Sequence, residues 1–166
     1  MRRFLLPIVC AALLAPPLAA QHPAAATDSL LGRLVGRWTL RGQVQGDSVT
    51  YDMTGARELG GRFVVLKMKD AAVPSQYEAH VYLGADSASA QLLVHWMDVF
   101  GAGWSVPHGI GRARGDTLVF TFAYASGNFR DTFTYDRRSD RWHFRLESAD
   151  GAGGWKPFAE YHVRRR

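Results

Sequence analysis

The chain has 166 residues, a formal net charge of +5 and 21% charged residues, values that fit one globular domain of ordinary composition. Nucleic-acid-binding proteins usually carry a dense basic stripe, whereas the charges here are scattered, so we expect no nucleic-acid partner. The one basic cluster, Arg164-Arg165-Arg166, lies at the chain end and is typical of a solvated tail.

The first twenty residues differ in character from the rest. Two arginines precede an apolar run from Phe4 to Leu14, and prolines and small residues follow before Gln21. This layout is typical of a secretory signal peptide, and the run is too short to span a bilayer; a buried N-terminal helix is the alternative. We expect residues 1–20 to be removed on export to the periplasm or the extracellular space. The mature chain would have 146 residues, a charge of +3, no transmembrane segment and no cysteine, because Cys10 would be lost.

The remaining chain begins with a short non-strand segment. Residues 21–27 predict a flexible leader, and residues 28–166 predict one domain. Thr27 or Asp28 is suited to cap a short helix that Gly36 would end.

Beyond residue 36, short segments alternate apolar with polar residues and are bounded by Gly, Asp, Ser or Asn, as in half-buried strands. The ten predicted strands cover about 36–44, 48–57, 62–69, 77–84, 90–98, 104–113, 117–124, 128–136, 141–148 and 155–164. Short connections make successive strands antiparallel, and closure removes exposed edges. We therefore predict an all-β, antiparallel up-and-down barrel of about ten strands with a short N-terminal helix; a two-sheet sandwich is the alternative.

One face of each predicted strand is apolar. In the seventh strand, for example, Phe120 and Phe122 alternate with Thr121. The predicted inner face contains many aromatic side chains, and barrels of this size are either filled by side chains or hold one small ligand. The sequence leaves both possibilities open.

Several polar groups fall on the predicted inner face. They are Asp98, His108 and Asp131, together with the hydroxyl groups of Tyr51, Tyr124, Tyr135 and Tyr161. A buried carboxylate needs hydrogen bonds or a cation, or it takes up a proton, so such groups in an apolar cavity are candidates for fixing a ligand. The alternative is that both aspartates cap turns near strand ends and the tyrosines form hydrogen bonds at the rim.

The leading functional hypothesis is a site for a small hydrophobic or amphipathic molecule. Its candidate ligand-binding residues are Trp38, Tyr51, Trp96, Asp98, Trp104, His108, Phe120, Tyr124 and Tyr161. The first alternative is an enzyme in which Asp98 and His108 form an acid–base pair acting on a small lipid-like substrate. The second is a structural envelope protein with a filled barrel. We expect no metal site, because the histidines lack metal-binding spacing, and the oligomeric state stays open.

Three motifs resemble known families. Residues 34–38 resemble the Gly-x-Trp opening of lipocalin-like, calycin-type barrels. Residues 57–63, Arg-Glu-Leu-Gly-Gly-Arg-Phe, resemble a turn of a family of uncharacterised, exported bacterial lipocalin-like proteins, a domain-of-unknown-function family. Residues 95–98 before Gly101 are similar to the aromatic-x-Asp-x-x-Gly segment of that family. The resemblance implies a lipocalin-like barrel of about ten strands with no settled activity.

The same opening distantly resembles that of nitrobindins, which are haem-binding barrels. That resemblance implies a glycine run after the tryptophan and an inward histidine near the C-terminus that holds iron. Here Gly42 is the first glycine after Trp38, and alternation places His162 outside. Both departures argue against haem, so we expect no cofactor, and a haem-binding, nitrobindin-like barrel is a further alternative. Fatty-acid carriers of related shape use an Arg-x-Tyr in the last strand, and this chain supplies only Tyr161.

Overall fold

A computed structural model describes residues 23–166, so the predicted signal peptide lies outside the described residues. Within that range one helix precedes ten strands, and a single 3-10 turn, Ala102–Trp104, lies between the fifth and sixth strands. The elements are α1 (Pro23–Gly32), β1 (Gly36–Val44), β2 (Asp47–Glu58), β3 (Phe63–Asp70), β4 (Glu78–Ala85), β5 (Leu92–Asp98), β6 (Gly109–Arg114), β7 (Thr117–Tyr124), β8 (Gly127–Asp136), β9 (Arg141–Ala149) and β10 (Trp155–Arg165).

The ten strands form one closed barrel. Every strand pairs antiparallel with its neighbours in sequence, and β1 pairs with β10 from Trp38↔Arg165 to Val44↔Ala159. Closure leaves no sheet edge exposed. The predicted all-β, up-and-down barrel of ten strands with one short helix is therefore confirmed, and the sandwich alternative is wrong.

The helix α1 begins earlier than predicted. It starts at Pro23, so residues 23–27 are helical and the predicted flexible leader is wrong for that part. Proline is favoured in the first turn of a helix, and the alanines that follow are strong helix formers. Asp28, expected as a cap, lies inside α1 and forms an ion pair with Arg57 of β2 (Nη1–Oδ1 2.8 Å).

The end of the barrel beneath α1 is filled with side chains. Leu31 and Leu34 are buried there, and the indole Nε1 of Trp38 donates a hydrogen bond to the Leu34 carbonyl (2.9 Å). Phe133 and Phe144 stack with their ring centroids 3.7 Å apart. The large, fully buried side chains of the interior are Trp38, Phe120, Phe133, Trp142 and Phe144. This half of the barrel is a packed core.

The sixth strand is shorter than predicted and has the opposite register. Residues 99–108 form a loop, and β6 begins only at Gly109. Gly109 and Gly111 pair with the buried Val94 and Leu92 of β5, so the glycines face inward. The predicted inward orientation of His108 is wrong, because its side chain is exposed, as are those of Val106 and Ile110.

Glycine lines the inside of β6 because the backbone and the aromatic rings of β7 occupy the space that a side chain would need. A Cβ atom on Gly111 would lie 1.9 Å from the carbonyl oxygen of Val119 and 2.6 Å from Cα of Phe120. On Gly109 it would lie 3.0 Å from the ring of Phe122. An inner face built of glycine has no apolar residues to mark it, so the alternation of apolar and polar residues predicts the wrong inner face for β6.

Candidate functional site

The barrel end opposite α1 is hollow and open. Its cavity has a volume of about 670 Å³, inside the range of small-molecule sites, roughly 300–1,000 Å³. The turn between β1 and β2 and the loops that follow β3, β5 and β7 contribute residues to its wall. The aromatic and apolar wall includes Tyr51, Tyr77, Trp96, Tyr124, Phe129, Leu146 and Tyr161.

Six of the nine predicted ligand-binding residues line this cavity. They are Tyr51, Trp96, Asp98, Trp104, Tyr124 and Tyr161. Trp38 and Phe120 point into the barrel as predicted, but both are packed in the filled interior and neither lines the cavity. His108 lies outside the barrel.

His108 does not meet Asp98 in the cavity. Its ring lies 5.7 Å from that of His95, an exposed residue of the outer wall, and its own side chain is exposed. Asp98 instead lines the cavity. The acid–base pair predicted from the sequence is therefore not assembled in one cavity, which removes the geometric basis of the enzyme hypothesis.

Trp104 stands at the cavity mouth. Its side chain is 59% exposed, and its backbone carbonyl accepts a hydrogen bond from the Tyr124 hydroxyl (3.1 Å). The two rings lie 6.2 Å apart. Trp104 lies in the loop after β5 rather than in a strand, and it forms part of the cavity rim.

A cluster of tyrosines forms one side of the cavity. The rings of Tyr51 and Tyr77 lie 5.2 Å apart, and those of Tyr51 and Tyr161 lie 5.8 Å apart. Burial is the main cause that raises the pKa of each of the three hydroxyls. All three therefore stay protonated and uncharged at neutral pH.

Hydrogen bonds tie this tyrosine cluster to Asp98. The indole Nε1 of Trp96 donates to the Tyr77 hydroxyl (3.1 Å), which in turn donates to Oδ2 of Asp98 (3.5 Å). The other carboxylate oxygen, Oδ1, accepts the backbone N–H of Phe100 (3.0 Å). Asp98 therefore both caps a turn and lines the cavity, so the two alternatives posed by the sequence hold together.

Asp131 lies at the cavity floor. The inward residues of β8 are, in order, Phe129, Asp131, Phe133 and Tyr135; the first two line the cavity and the last two belong to the core. Across the sheet, Asp131 pairs with Phe120 and Leu146. Its position in the middle of β8 shows that the turn-capping alternative is wrong for this residue.

The Asp131 carboxyl is both buried and unpaired. Only 1% of the residue is exposed, and no group among residues 23–166 donates a hydrogen bond to its Oδ1 atom. Burial raises the pKa of this carboxyl well above its ordinary value. A buried polar atom without a partner is rare in proteins, so this carboxyl needs an explanation in the chemistry of the cavity.

The sequence identified Asp131 as inward but did not include it, or Tyr77, among the site residues. Tyr77 lies in the loop before β4, where its hydroxyl contacts Trp96 and Asp98. For Asp131 the signal was present, since a carboxylate at an apolar inner-face position is itself unusual.

The charged residues of the cavity wall are all acidic. They are Asp47, Asp70, Asp98 and Asp131, and no Lys, Arg or His lines the cavity in the described part of the chain. His162 lies exposed on the outer wall, as predicted, with its ring 5.3 Å from that of His143. No group of three or more His, Cys, Asp or Glu within residues 23–166 is arranged to hold a metal ion.

Comparison with known proteins identifies the family. Residues 24–165 match the family described as a protein of unknown function, DUF1579, and the chain belongs to that family. This agrees with the predicted resemblance to a domain-of-unknown-function family. No curated protein matches the chain.

Among solved structures, the chain is similar to Rv2717c from M. tuberculosis, with 14% sequence identity and a TM-score of 0.59. The match covers 84% of this chain and 97% of that one, and it shows a shared barrel fold. The expected likeness to lipocalins and nitrobindins is not confirmed by these matches. None of the helices in residues 23–166 has both the length and the apolar character needed to cross a membrane.

Proposed function

We propose that this protein binds a small hydrophobic or amphipathic molecule in the open half of its barrel. The observation that carries the proposal is the cavity of about 670 Å³, with aromatic and aliphatic walls and a few converging polar groups. Burial of an apolar ligand surface against such walls is favourable because it removes that surface from water. The polar groups then fix the orientation of the ligand.

The contrast between the two barrel ends supports binding over a purely structural role. The end beneath α1 is filled by large side chains such as Trp38 and Trp142. A structural barrel would gain stability from similar packing at the other end, because each unfilled volume loses dispersion contacts. The open end instead keeps Tyr51 and Tyr161 around a space.

The cellular location is part of the proposal. The signal-peptide pattern of residues 1–20 supports export, so we propose that the ligand is met in the periplasm or outside the cell.

Two adjacent residues of β2 allow a matched test of the cavity. Val49 lines the cavity, whereas the neighbouring Thr50 lies on the opposite face of the strand. We expect a neutral solvatochromic dye to bind the full-length protein saturably and to shift its emission to shorter wavelength.

In Val49→Trp the indole would occupy the cavity, and we expect the affinity for the dye to fall at least about tenfold, the cost of losing about 1.4 kcal/mol of contacts. Thr50→Trp should bind like the unmodified protein. Equal binding by the two variants, or no saturable binding by the unmodified protein, would contradict the proposal.

A further inference from the structure

We propose that the molecule held in this cavity carries a positively charged amine, which pairs with the Asp131 carboxylate beside the rings of Tyr51, Tyr77 and Tyr161. This inference rests on the proposed function and names the chemical class of its ligand.

The carboxyl of Asp131 has an oxygen atom without a hydrogen-bond partner among the described residues. This carboxyl is almost fully buried at the cavity floor, and Oδ1 has no donor from any described residue. An acid in such surroundings is stabilised only by a proton or by a cation that enters the cavity. A ligand ammonium group that reaches the cavity floor brings both a charge and N–H donors to this carboxyl.

Acidic and basic residues are separated between the inside and the outside of the barrel. The full chain has 20 Lys and Arg against 15 Asp and Glu, yet among the described residues the only acidic or basic side chains on the cavity wall are aspartates. Arg130, next to Asp131 in sequence, faces outward and pairs with Glu147 (Nη2–Oε2 2.6 Å). Arg145 pairs with the same carboxylate (3.0 Å).

The consequence of this separation is selectivity by charge. Low-dielectric walls lined by one sign of charge concentrate the field inside a cleft and favour ligands of the opposite sign. A fatty acid would place its carboxylate near the aspartates without any cationic partner, and repulsion would oppose its binding. A neutral alcohol would gain nothing from the field, whereas an amine would.

The cavity that contains Asp131 also has an aromatic surface. The faces of tyrosine rings attract cations, and the attraction is strongest where water is excluded. Tyr77, Tyr161 and Asp131 all line the same cavity. The same three groups therefore surround one volume that suits an ammonium head, and the apolar wall extends from it toward the mouth.

The test uses three ligands with the same ten-carbon chain: n-decylamine, n-decanol and n-decanoate. Each displaces the neutral dye from the full-length protein, so the head group is the only difference. We expect decylamine to bind most tightly and decanoate most weakly.

Asp131→Asn removes the charge and keeps the shape of the side chain. We expect it to weaken decylamine at least about 30-fold, as when one partner of a desolvated charge pair is removed, and to leave decanol almost unchanged. Glu160→Gln is the matched control, since Glu160 is an exposed acid on the outer wall that pairs with His143. Asp131→Leu provides a second variant without charge, should the amide disturb the floor.

The outcomes separate the two proposals. If decylamine binds no more tightly than decanol, or if Asp131→Asn and Asp131→Leu keep full affinity for decylamine, the amine inference is wrong while dye binding still supports a hydrophobic ligand. If the dye itself fails to bind the unmodified protein, the proposed function is wrong and the inference fails with it.

Discussion

Replacing Asp131 with Asn should stabilise the protein, and the gain should grow with pH. The carboxyl of Asp131 is buried without a partner, and its pKa in the folded state lies well above the ordinary value of 3.8. The folded protein therefore holds this proton more tightly than the unfolded chain does. Below about pH 3.8 both states are protonated and the stability contributed by the neutral acid is fully present. As pH rises toward the folded pKa, that stability is lost.

The size of the effect follows from linkage. One group that is protonated in the folded state and ionised in the unfolded state lowers the free energy of unfolding by about 1.4 kcal/mol per pH unit across the window between its two pKa values. Asparagine has no proton to lose and fills nearly the same volume. The difference in unfolding free energy between Asp131→Asn and the unmodified protein should therefore rise by about 1.4 kcal/mol per unit in that window and then level off.

Neighbouring groups do not obscure this comparison. Burial raises the pKa of Tyr77, Tyr124 and Tyr161, so these hydroxyls keep their protons throughout the window. Aspartates with lowered pKa values, such as Asp140 beside Arg165, contribute equally to both proteins and cancel in the difference.

The assay is urea unfolding of both proteins between about pH 4 and pH 8, with no ligand added. Asp131→Leu, which also lacks a titrating group, should show the same dependence on pH as Asp131→Asn. If the difference in unfolding free energy between Asp131→Asn and the unmodified protein stays constant across the whole pH range, this prediction is wrong. Asp131 would then titrate alike in the folded and unfolded states.

Four further variants test other parts of the structure. Gly55→Ala should lower the free energy of unfolding, measured by urea denaturation, by about 1–3 kcal/mol. The reason is that its Cβ would lie 2.0 Å from the Leu34 carbonyl oxygen and would displace the segment between α1 and β1. Gly103→Ala, where a Cβ meets no atom within 4 Å, should stay within about 0.5 kcal/mol of the unmodified protein. Phe133→Ala should cost about 3–5 kcal/mol, because the ring is fully buried in the filled end. Trp104→Ala should leave stability within about 0.5 kcal/mol but weaken dye binding, because this exposed ring forms part of the cavity mouth.

The barrel was predictable because most strands have one apolar face and one polar face. In β7, Leu118, Phe120 and Phe122 are buried, while the intervening Val119 and Thr121 are only partly so. Where apolar and polar residues alternate in this way, the apolar set identifies the inner face, and short turns then make neighbouring strands antiparallel and favour closure. This alternation is absent at β6, whose inner face consists of small residues. It gives no help at α1 either, because the first turns of that helix have no apolar period.

The site was only partly predictable, because alternation distinguishes inside from outside but not one end of the barrel from the other. Trp38 and Tyr51 both point inward, yet the first is packed beneath α1 and the second lines the cavity. The position of a residue along the barrel axis depends on strand register, which is a property of the assembled sheet. Asp131 stands where the filled and hollow parts meet, and that boundary becomes visible only in three dimensions.

A crystal structure of the full-length protein with n-decylamine bound would show directly whether the barrel cavity holds an amine. We expect electron density for one ligand inside the open half of the barrel, with its nitrogen within hydrogen-bonding distance of the Asp131 carboxylate and its chain directed past Phe129 toward Trp104. Density for the ligand only on the outer wall, with the cavity closed by inward movement of its side chains, would contradict the claim that the barrel holds a ligand.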